Sequence, residues 1–384
     1  MDRCDVLVVG GGPAGSTCAW KLRQAGLDVM VLDAAMFPRD KVCAGWITPP
    51  VVADLRLDLD EYRQHHTLQP ISGFRTGLIN SSRAVETVYD RPVSYGIRRC
   101  EFDHFLLQRS GARTMLGAPV RTIRRDGDAW IVNDAVRTPM LVGAGGHRCP
   151  VAQHVSPTPP GGPLVVAQEG EFAVGPAEAV AVAPEMPELY FCSDLQGYGW
   201  CFRKQQYLNV GFGRLDPRSL PSASAAFVAF LKATRRLPAG LSWRWRGHAY
   251  LLSGPPRRRV VDVGVLLVGD AAGLARPQSG EGIRPAVESG LLAAATIVGA
   301  CGCYTREQLE PYEAQLLERF VASRIPPLLS QGSELGAKLV GRLLAMPWFA
   351  RHVLLDRWFL GTREPARAST SVPPARSTMR APRR

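Results

Sequence analysis

Asp5-Val-Leu-Val-Val-Gly10-Gly-Gly-Pro-Ala-Gly15 decides the reading of this chain, because an unbroken apolar run ends in glycines spaced GxGxxG. Val6–Val9 reads as a strand buried on both faces, the pattern of a parallel sheet. The residues after the glycines, Ala14 to Ala25, read as a helix that Gly26 ends, and Val29 to Leu32 reads as a second strand closing on Asp33. Each part of this βαβ unit has a physical job. Gly10 permits the tight turn, Gly12 lets backbone approach a pyrophosphate, and Gly15 lets helix and strand pack closely. Pro13 and Ala14 open the helix, whose N-terminus turns a partial positive charge toward the phosphates. Asp33, 18 residues past Gly15, accepts from a ribose hydroxyl. The expectation is a bound dinucleotide.

The rest of the chain frames this unit. Its 384 residues suit two or three domains, or one large domain with an insert, and its 46% hydrophobic and 21% charged residues describe an ordinary globular protein. Acidic Asp2 and Asp5 flank the first apolar run, so the chain reads as starting in the fold, with no secretory signal. Leu291 to Cys303 is the most apolar stretch and is too short to span a membrane. The nine cysteines have no repeating spacing and no histidine cluster beside them, so neither a metal site nor a disulfide framework is expected, and reduced thiols place the protein in the cytoplasm. The net charge of +12 comes from an arginine bias, with only five lysines, and no nucleic-acid motif accompanies it.

Short strands are expected at Val120 to Ile123, Ala129 to Val132 and Met140 to Val142, forming a meander around the turn Asp126-Gly127. The Pro/Gly-rich residues 157–163 suit a crossover into an inserted unit, with strands from Leu164 to Gly213 and a helix from Ala223 to Leu231. Val260 to Val268 reads as one apolar strand returning to the nucleotide-binding unit, followed by a helix over 282–299. Thr305 to Leu360 reads as helical with breaks at Pro326, Pro327 and Pro347. Residues 362–384 hold six arginines against Glu364 alone, a net of +5, with almost no large apolar side chains. They read as a disordered basic tail, which leaves open a peripheral contact with anionic lipid.

Val265-Leu-Leu-Val-Gly269-Asp270-Ala-Ala-Gly-Leu-Ala-Arg-Pro277-Gln-Ser-Gly280-Glu-Gly282-Ile283 resembles the second FAD-binding motif of the flavoproteins that include aromatic hydroxylases, flavin halogenases and geranylgeranyl reductases. The resemblance implies FAD, with Asp270 on the ribityl chain and the segment from Pro277 to Ile283 starting a helix beneath the isoalloxazine. Arg99-Cys100-Glu101-Phe102-Asp103 is similar to the same group's RxxFD segment, which implies that Arg99 approaches FAD. Phe37-Pro-Arg39-Asp-Lys41-Val-Cys43-Ala-Gly45 is similar to its FPRxKxCGG loop. That likeness puts Cys43 beside the reacting face of the flavin and Arg39 and Lys41 at phosphate or flavin edge groups.

The cysteine loop and Tyr198-Gly-Trp200-Cys-Phe202-Arg203, which is similar to a YxWxFP signature, point within that group to the geranylgeranyl reductase family. The resemblance covers about Asp2 to Leu360. It implies a Rossmann-type α/β FAD-binding domain (1–75, 96–156 and 256–312) with an inserted antiparallel β-sheet substrate domain (76–95 and 157–255). A helical C-terminal region (313–361) and the tail complete the expected chain. Tyr198, Trp200 and Phe202 alternate onto one face of a strand, where they wall an apolar pocket or fill a core. Arg203 stands where the signature has proline, and a cation there suits a substrate with an anionic head.

The implied activity is delivery of hydride from reduced FAD to a carbon–carbon double bond of an isoprenoid or related apolar lipid, with Cys43 as proton donor. The alternatives are an FAD-dependent monooxygenase of an aromatic or polyketide-like substrate, a flavin halogenase, and a non-catalytic flavoprotein. Gly143-Ala-Gly-Gly146 lacks the Asp with which relatives contact FAD and NADPH, so the external reductant stays open among NADPH, NADH and ferredoxin. His147 and Arg148, which follow, are expected to face solvent.

Overall fold

The structure, a computed structural model, describes residues 1–81, 83–156, 164–175, 181–238, 241, 243–253, 258–277, 279–321 and 341–362. The crossover residues 157–163, Pro326, Pro327 and the basic tail from 363 onward lie outside the described residues.

The first elements are β1 (Asp2–Arg3), β2 (Val6–Val9), α1 (Pro13–Gln24) and β3 (Val29–Asp33). Every residue of β2 is buried, as its unbroken apolar sequence requires. Pro13 stands in the first turn of α1, where its missing N–H costs nothing, and Gly26 beyond the helix adopts φ +86°. The helix therefore starts and ends one residue before the sequence reading placed it.

Next come β4 (Trp46–Ile47), α2 (Pro49–Leu55), α3 (Leu59–His65), β5 (Leu68–Ile71), β6 (Gly73–Leu78), β7 (Ala84–Val88) and β8 (Ser94–Ile97). After α4 (Arg99–Arg109) and β9 (Arg113–Leu116), the chain forms β10 (Ile123–Asp126), β11 (Ala129–Val132), β12 (Val136–Thr138) and β13 (Met140–Gly143). Strands β10 to β12 make the expected meander, joined by β1, but its first strand lies later than Val120 to Ile123. The side chain of Asn133 accepts from the N–H groups of both Arg121 and Thr122 and holds that stretch as a loop. Strand β13 leaves the meander and pairs in parallel with β2.

After α5 (Pro150–Val155) come β14 (Leu164–Ala173), β15 (Glu188–Phe191), β16 (Gly197–Lys204), β17 (Tyr207–Arg214), α6 (Leu220–Ala233) and β18 (Arg246–Leu251). The chain then returns through β19 (Val261–Asp262) and β20 (Val265–Leu267) to α7 (Ile283–Gly299) and α8 (Arg306–Val321). The expected single strand from Val260 to Val268 is thus a tight hairpin. Asp262 accepts from the N–H of Val263, and Gly264 turns at φ +65°, where a Cβ would lie 2.7 Å from the Pro139 carbonyl.

Two main sheets result. The nucleotide-side sheet has the order β19-β20-β13-β2-β3-β9, parallel except at its β19 edge. The substrate-side sheet has the order β18-β14-β17-β16-β15-β6-β7, largely antiparallel; β4-β8-β5 form a small further sheet, besides the four-stranded sheet of the meander and β1. This is the mixed α/β architecture expected from the sequence.

Helix α6 covers one face of the substrate-side sheet, with Phe227 and Leu231 fully buried against Cys201, Val210 and Phe212. The other face carries Trp200 and Phe202, packed with Trp46, Phe74 and Phe359. On the nucleotide side, α1 and α7 pack with a Gly290 contact so close that a Cβ would lie 2.5 Å from the Ala14 carbonyl. Tyr312 of α8 donates to the Leu267 carbonyl at 2.7 Å and docks that helix on β20, although Pro311 stands inside it. Pro347 starts a new short helix that runs into a π-helical stretch, Ala350–Phe359. Among the described residues no helix is long and apolar enough to cross a membrane, and no cluster of His, Cys, Asp and Glu could hold a metal ion.

Candidate active site

A cavity of about 410 Å³ opens where the C-terminal ends of β2 and β3 face the substrate-side sheet. The glycine turn forms one end. Gly10 has φ +116°, and a Cβ there would lie 2.4 Å from the Ala144 carbonyl; a Cβ on Gly15 would lie 1.9 Å from the Gly10 carbonyl. Asp33 holds this turn, accepting from the N–H of Gly11 at 2.7 Å and of Ala35 at 2.8 Å. Gly12, Pro13, Ala14 and Asp33 all line the cavity.

Cations gather along the adjoining wall. Arg99 sits at the start of α4 and donates twice to fully buried Asp103, at 2.8 Å each, while Arg39 reaches the same carboxylate at 3.2 Å. Arg39 also lies over Gly12, 3.3 Å from where its Cβ would be. Arg148 reaches the rim; it is exposed, as expected, but lines the cavity together with Ala144, Gly145 and Gly146.

Lys41 Nζ lies 2.8 Å from His248 Nε2, and that ring nitrogen lies 3.8 Å from Asp270. Burial and the charge of Lys41 hold His248 below the usual histidine range, and burial lowers Lys41 as well. Burial works against ionisation of Asp270, but its contact with His248 and the charge of Lys41 outweigh it and hold the carboxyl below its ordinary value.

Gly280, Gly282 and Ile283 bring the N-terminus of α7 to the same cavity, and Gly269 turns behind it at φ +59°. Across from them stand Tyr198, Trp200, His248 and Tyr250. The Tyr198 hydroxyl donates to the Ser279 carbonyl at 2.6 Å, tying the substrate-side sheet to the glycine segment before α7. Cys43 lies between the two walls, half-buried, its Sγ accepting from the Gly45 N–H at 3.4 Å.

The structure therefore brings together on one cavity the first glycine turn, Asp33, Arg39, Lys41, Cys43, Arg99, Tyr198, Trp200, Asp270 and the start of α7. Pro277 stands off it. Phe202 is fully buried behind it against Trp46, and Arg203 points to the opposite face of β16, where it donates to the Gln205 carbonyl at 2.8 Å. Strand alternation explains this, since Arg203 follows Phe202 and so faces away from Tyr198 and Trp200. Arg203 is not at the cavity wall that the sequence reading gave it. Sequence reading missed His248 and Tyr250, whose alternate positions on β18 were the available signal, and missed Trp46.

Comparison with known proteins decides the family. A family model described as FAD dependent oxidoreductase matches residues 5–88. A menaquinone reductase of Mycolicibacterium smegmatis is 33% identical over 325 residues, covering 76% of each chain. A geranylgeranyl diphosphate reductase of Rhodobacter capsulatus is 30% identical over 309 residues, covering 76% of this chain and 74% of its own. The chain belongs to the geranylgeranyl reductase family of FAD-dependent oxidoreductases. The fold agrees, since a geranylgeranyl bacteriochlorophyll reductase-like protein of Thermoplasma acidophilum superposes with a TM-score of 0.72 over 97% of this chain and 95% of that one, at 22% identity. The halogenase PltM shares the fold more loosely, with a TM-score of 0.68 over 89% of this chain and 83% of its own, at 19% identity.

As a member of this reductase family the protein is an oxidoreductase that uses FAD, and its site fits that cofactor. A Cβ at Gly10 or Gly15 would collide with the backbone of the first turn or of Ala144, so these glycines let α1 start close against β2; the starts of α1 and α7 both line the cavity, with Arg39, Lys41 and Arg99 on the wall between them.

Proposed function

We propose that the protein saturates a carbon–carbon double bond of an isoprenoid or related apolar lipid. The observation that carries this reading is the cavity itself: the flavin motifs face an apolar aromatic wall, and Cys43 stands between them. The relatives named for geranylgeranyl diphosphate and menaquinone support the same substrate class. Reduced FAD, when bound, supplies the two electrons and one hydrogen.

The chain's own residues do the rest. Arg39, Lys41 and Arg99 hold the diphosphate, and Asp33 and Asp270 orient the sugar and ribityl hydroxyls. Trp46 and Trp200, each more than nine-tenths buried, keep water from the apolar end. Tyr198, fixed to Ser279, presents its ring to the cavity. Cys43 gives a proton from Sγ to the second carbon and regains one from solvent, so the product differs from the substrate by two hydrogens. The electrons come from an external donor, NADPH, NADH or ferredoxin, and delivery of such a substrate calls for peripheral contact with a membrane.

Anaerobically reduced, flavin-loaded protein offered a polyprenyl lipid is expected to yield product heavier by two hydrogens for each bond saturated, read by mass spectrometry. Recovery of unchanged lipid with the flavin still reduced would sink the reading. Cys43→Ala and Cys43→Ser are both expected to lose at least about a hundredfold in turnover while retaining flavin. Unchanged turnover in both removes the thiol from the reaction.

A further inference from the structure

The peptide of Cys43 is gripped from behind by side chains of the substrate-side sheet. Glu169 on β14 accepts from the Cys43 N–H at 2.7 Å, and Asn209 on β17 donates to the Cys43 carbonyl at 3.4 Å. These are adjacent strands in register, Glu169 opposite Gly211 and Glu171 opposite Asn209. The orientation of the Asn209 amide is settled by its other partner. Trp200 Nε1 can only donate, and it reaches Asn209 Oδ1 at 2.7 Å, which turns the Asn209 NH₂ toward Glu171 at 3.1 Å and toward the Cys43 carbonyl.

A third strand closes the grip. Lys204 at the end of β16 is fully buried, donates to Glu171 at 2.7 Å, and puts Nζ 2.6 Å from where a Gly45 Cβ would be. Gly45 itself has φ +68°, so the loop after Cys43 has room for no side chain there. Arg98, ahead of α4, pairs with Glu171 at 2.9 Å and with Glu101 at 3.0 Å. Burying two carboxylates and a lysine is costly unless each is paired, and apolar side chains would fill the same volume at lower cost. What apolar packing cannot do is fix both the N–H and the C=O of one residue.

We propose that Glu169 and Asn209 are positioning residues that fix the Cys43 peptide and thereby aim its thiol into the cavity. The catalytic consequence rests on the role of Cys43 proposed above; the clamp itself does not. The charged groups facing Glu169 are Lys204 from β16, Glu171 from its own strand and Arg246 from β18, with Asn209 from β17 as a neutral partner. Burial pushes Glu169 up to about 7 against the pull of Lys204 and the Cys43 N–H. Its bond to that N–H gains charge assistance as pH rises through this value.

The test measures alkylation of Cys43 in the full-length protein by a maleimide, followed by peptide mass spectrometry to separate it from the other cysteines. Glu169→Ala and Asn209→Ala are each expected to change the Cys43 rate by about tenfold and to lower kcat more than they raise KM. Glu169→Gln, which keeps an acceptor for the N–H, is expected to stay within about threefold of wild type at pH 6 and to diverge from it above pH 7. Rates equal to wild type in Glu169→Ala and Asn209→Ala overturn the clamp. If Glu169→Ala does not fold, Asn209→Ala and the comparison of Glu169→Gln with wild type decide in the same way, and parallel pH profiles for that pair count against it. Wild-type turnover in Cys43→Ala would remove the thiol's catalytic role and leave the alkylation result to judge the clamp alone.

Discussion

Glu169 makes a second, thermodynamic statement at the scale of one residue. Its carboxyl is raised in the folded protein from about 4.5 to about 7, chiefly by burial, so folding favours its protonated form. The associated stability is fully present below the unfolded value and is lost as pH rises through about 7. Glu169→Gln is therefore expected to gain about 3 kcal/mol over wild type between pH 4.5 and pH 8, in denaturant melts at both pH values. Equal pH dependence of the two proteins would show that the carboxyl is not held as described. Asp103 acts through its partners. It accepts from Arg99 twice and from Arg39, so Asp103→Ala leaves two guanidinium groups on the cavity wall without their shared carboxylate. A loss of about 3–5 kcal/mol, with weaker flavin retention, is the expected outcome of thermal melts and spectral titration. Arg99 was legible in sequence because its segment matches a family motif. Glu169, Asn209 and His248 were not, because their partners lie on other strands and no local pattern marks a residue that acts across sheets.

At the scale of elements, the βαβ opening was legible almost to the residue, since buried parallel strands must be apolar throughout and helix ends carry Pro and Gly. The hairpin of β19 and β20 was not. Its run of valines hides the turn, which Gly264 and the Asp262 side chain make together. Contact between α1 and α7 is the feature that holds the two flavin motifs side by side, and it depends on Gly290, whose Cβ would lie 2.5 Å from the Ala14 carbonyl and 3.2 Å from the Cys18 nitrogen. Gly290→Ala forces the helices apart and is expected to cost about 1–3 kcal/mol and to weaken FAD binding, measured by thermal melts with and without flavin. A variant with unchanged affinity would show that the helices can part without disturbing the site. The strand face of β16 was legible as an alternation of aromatic residues. Whether that face walled a pocket or filled a core could not be read from it, and it does both: Tyr198 and Trp200 meet the cavity while Phe202 lies in the core.

The whole molecule joins two sheets through a shared crevice, and the strands of the substrate-side sheet come from residues 73–88 and 164–251. The parallel pairing of β6 with β15 links segments more than a hundred residues apart, which no local period announces. Because FAD binds only the folded form, its addition at about a hundred times its dissociation constant is expected to raise stability by about 2.7 kcal/mol, seen as a concentration-dependent shift in Tm. A Tm indifferent to FAD would contradict the site. The row of Arg39, Lys41, Arg99 and Arg148 along that crevice has a practical corollary. Burial and the charges of Arg99 and Arg39 both lower Lys41 there, and a bound small polyanion offsets that repulsion. Pyrophosphate, ADP or concentrated phosphate in a purification buffer should then compete for the groove and bleach a yellow preparation, whereas a chloride buffer of equal ionic strength should leave its colour largely intact.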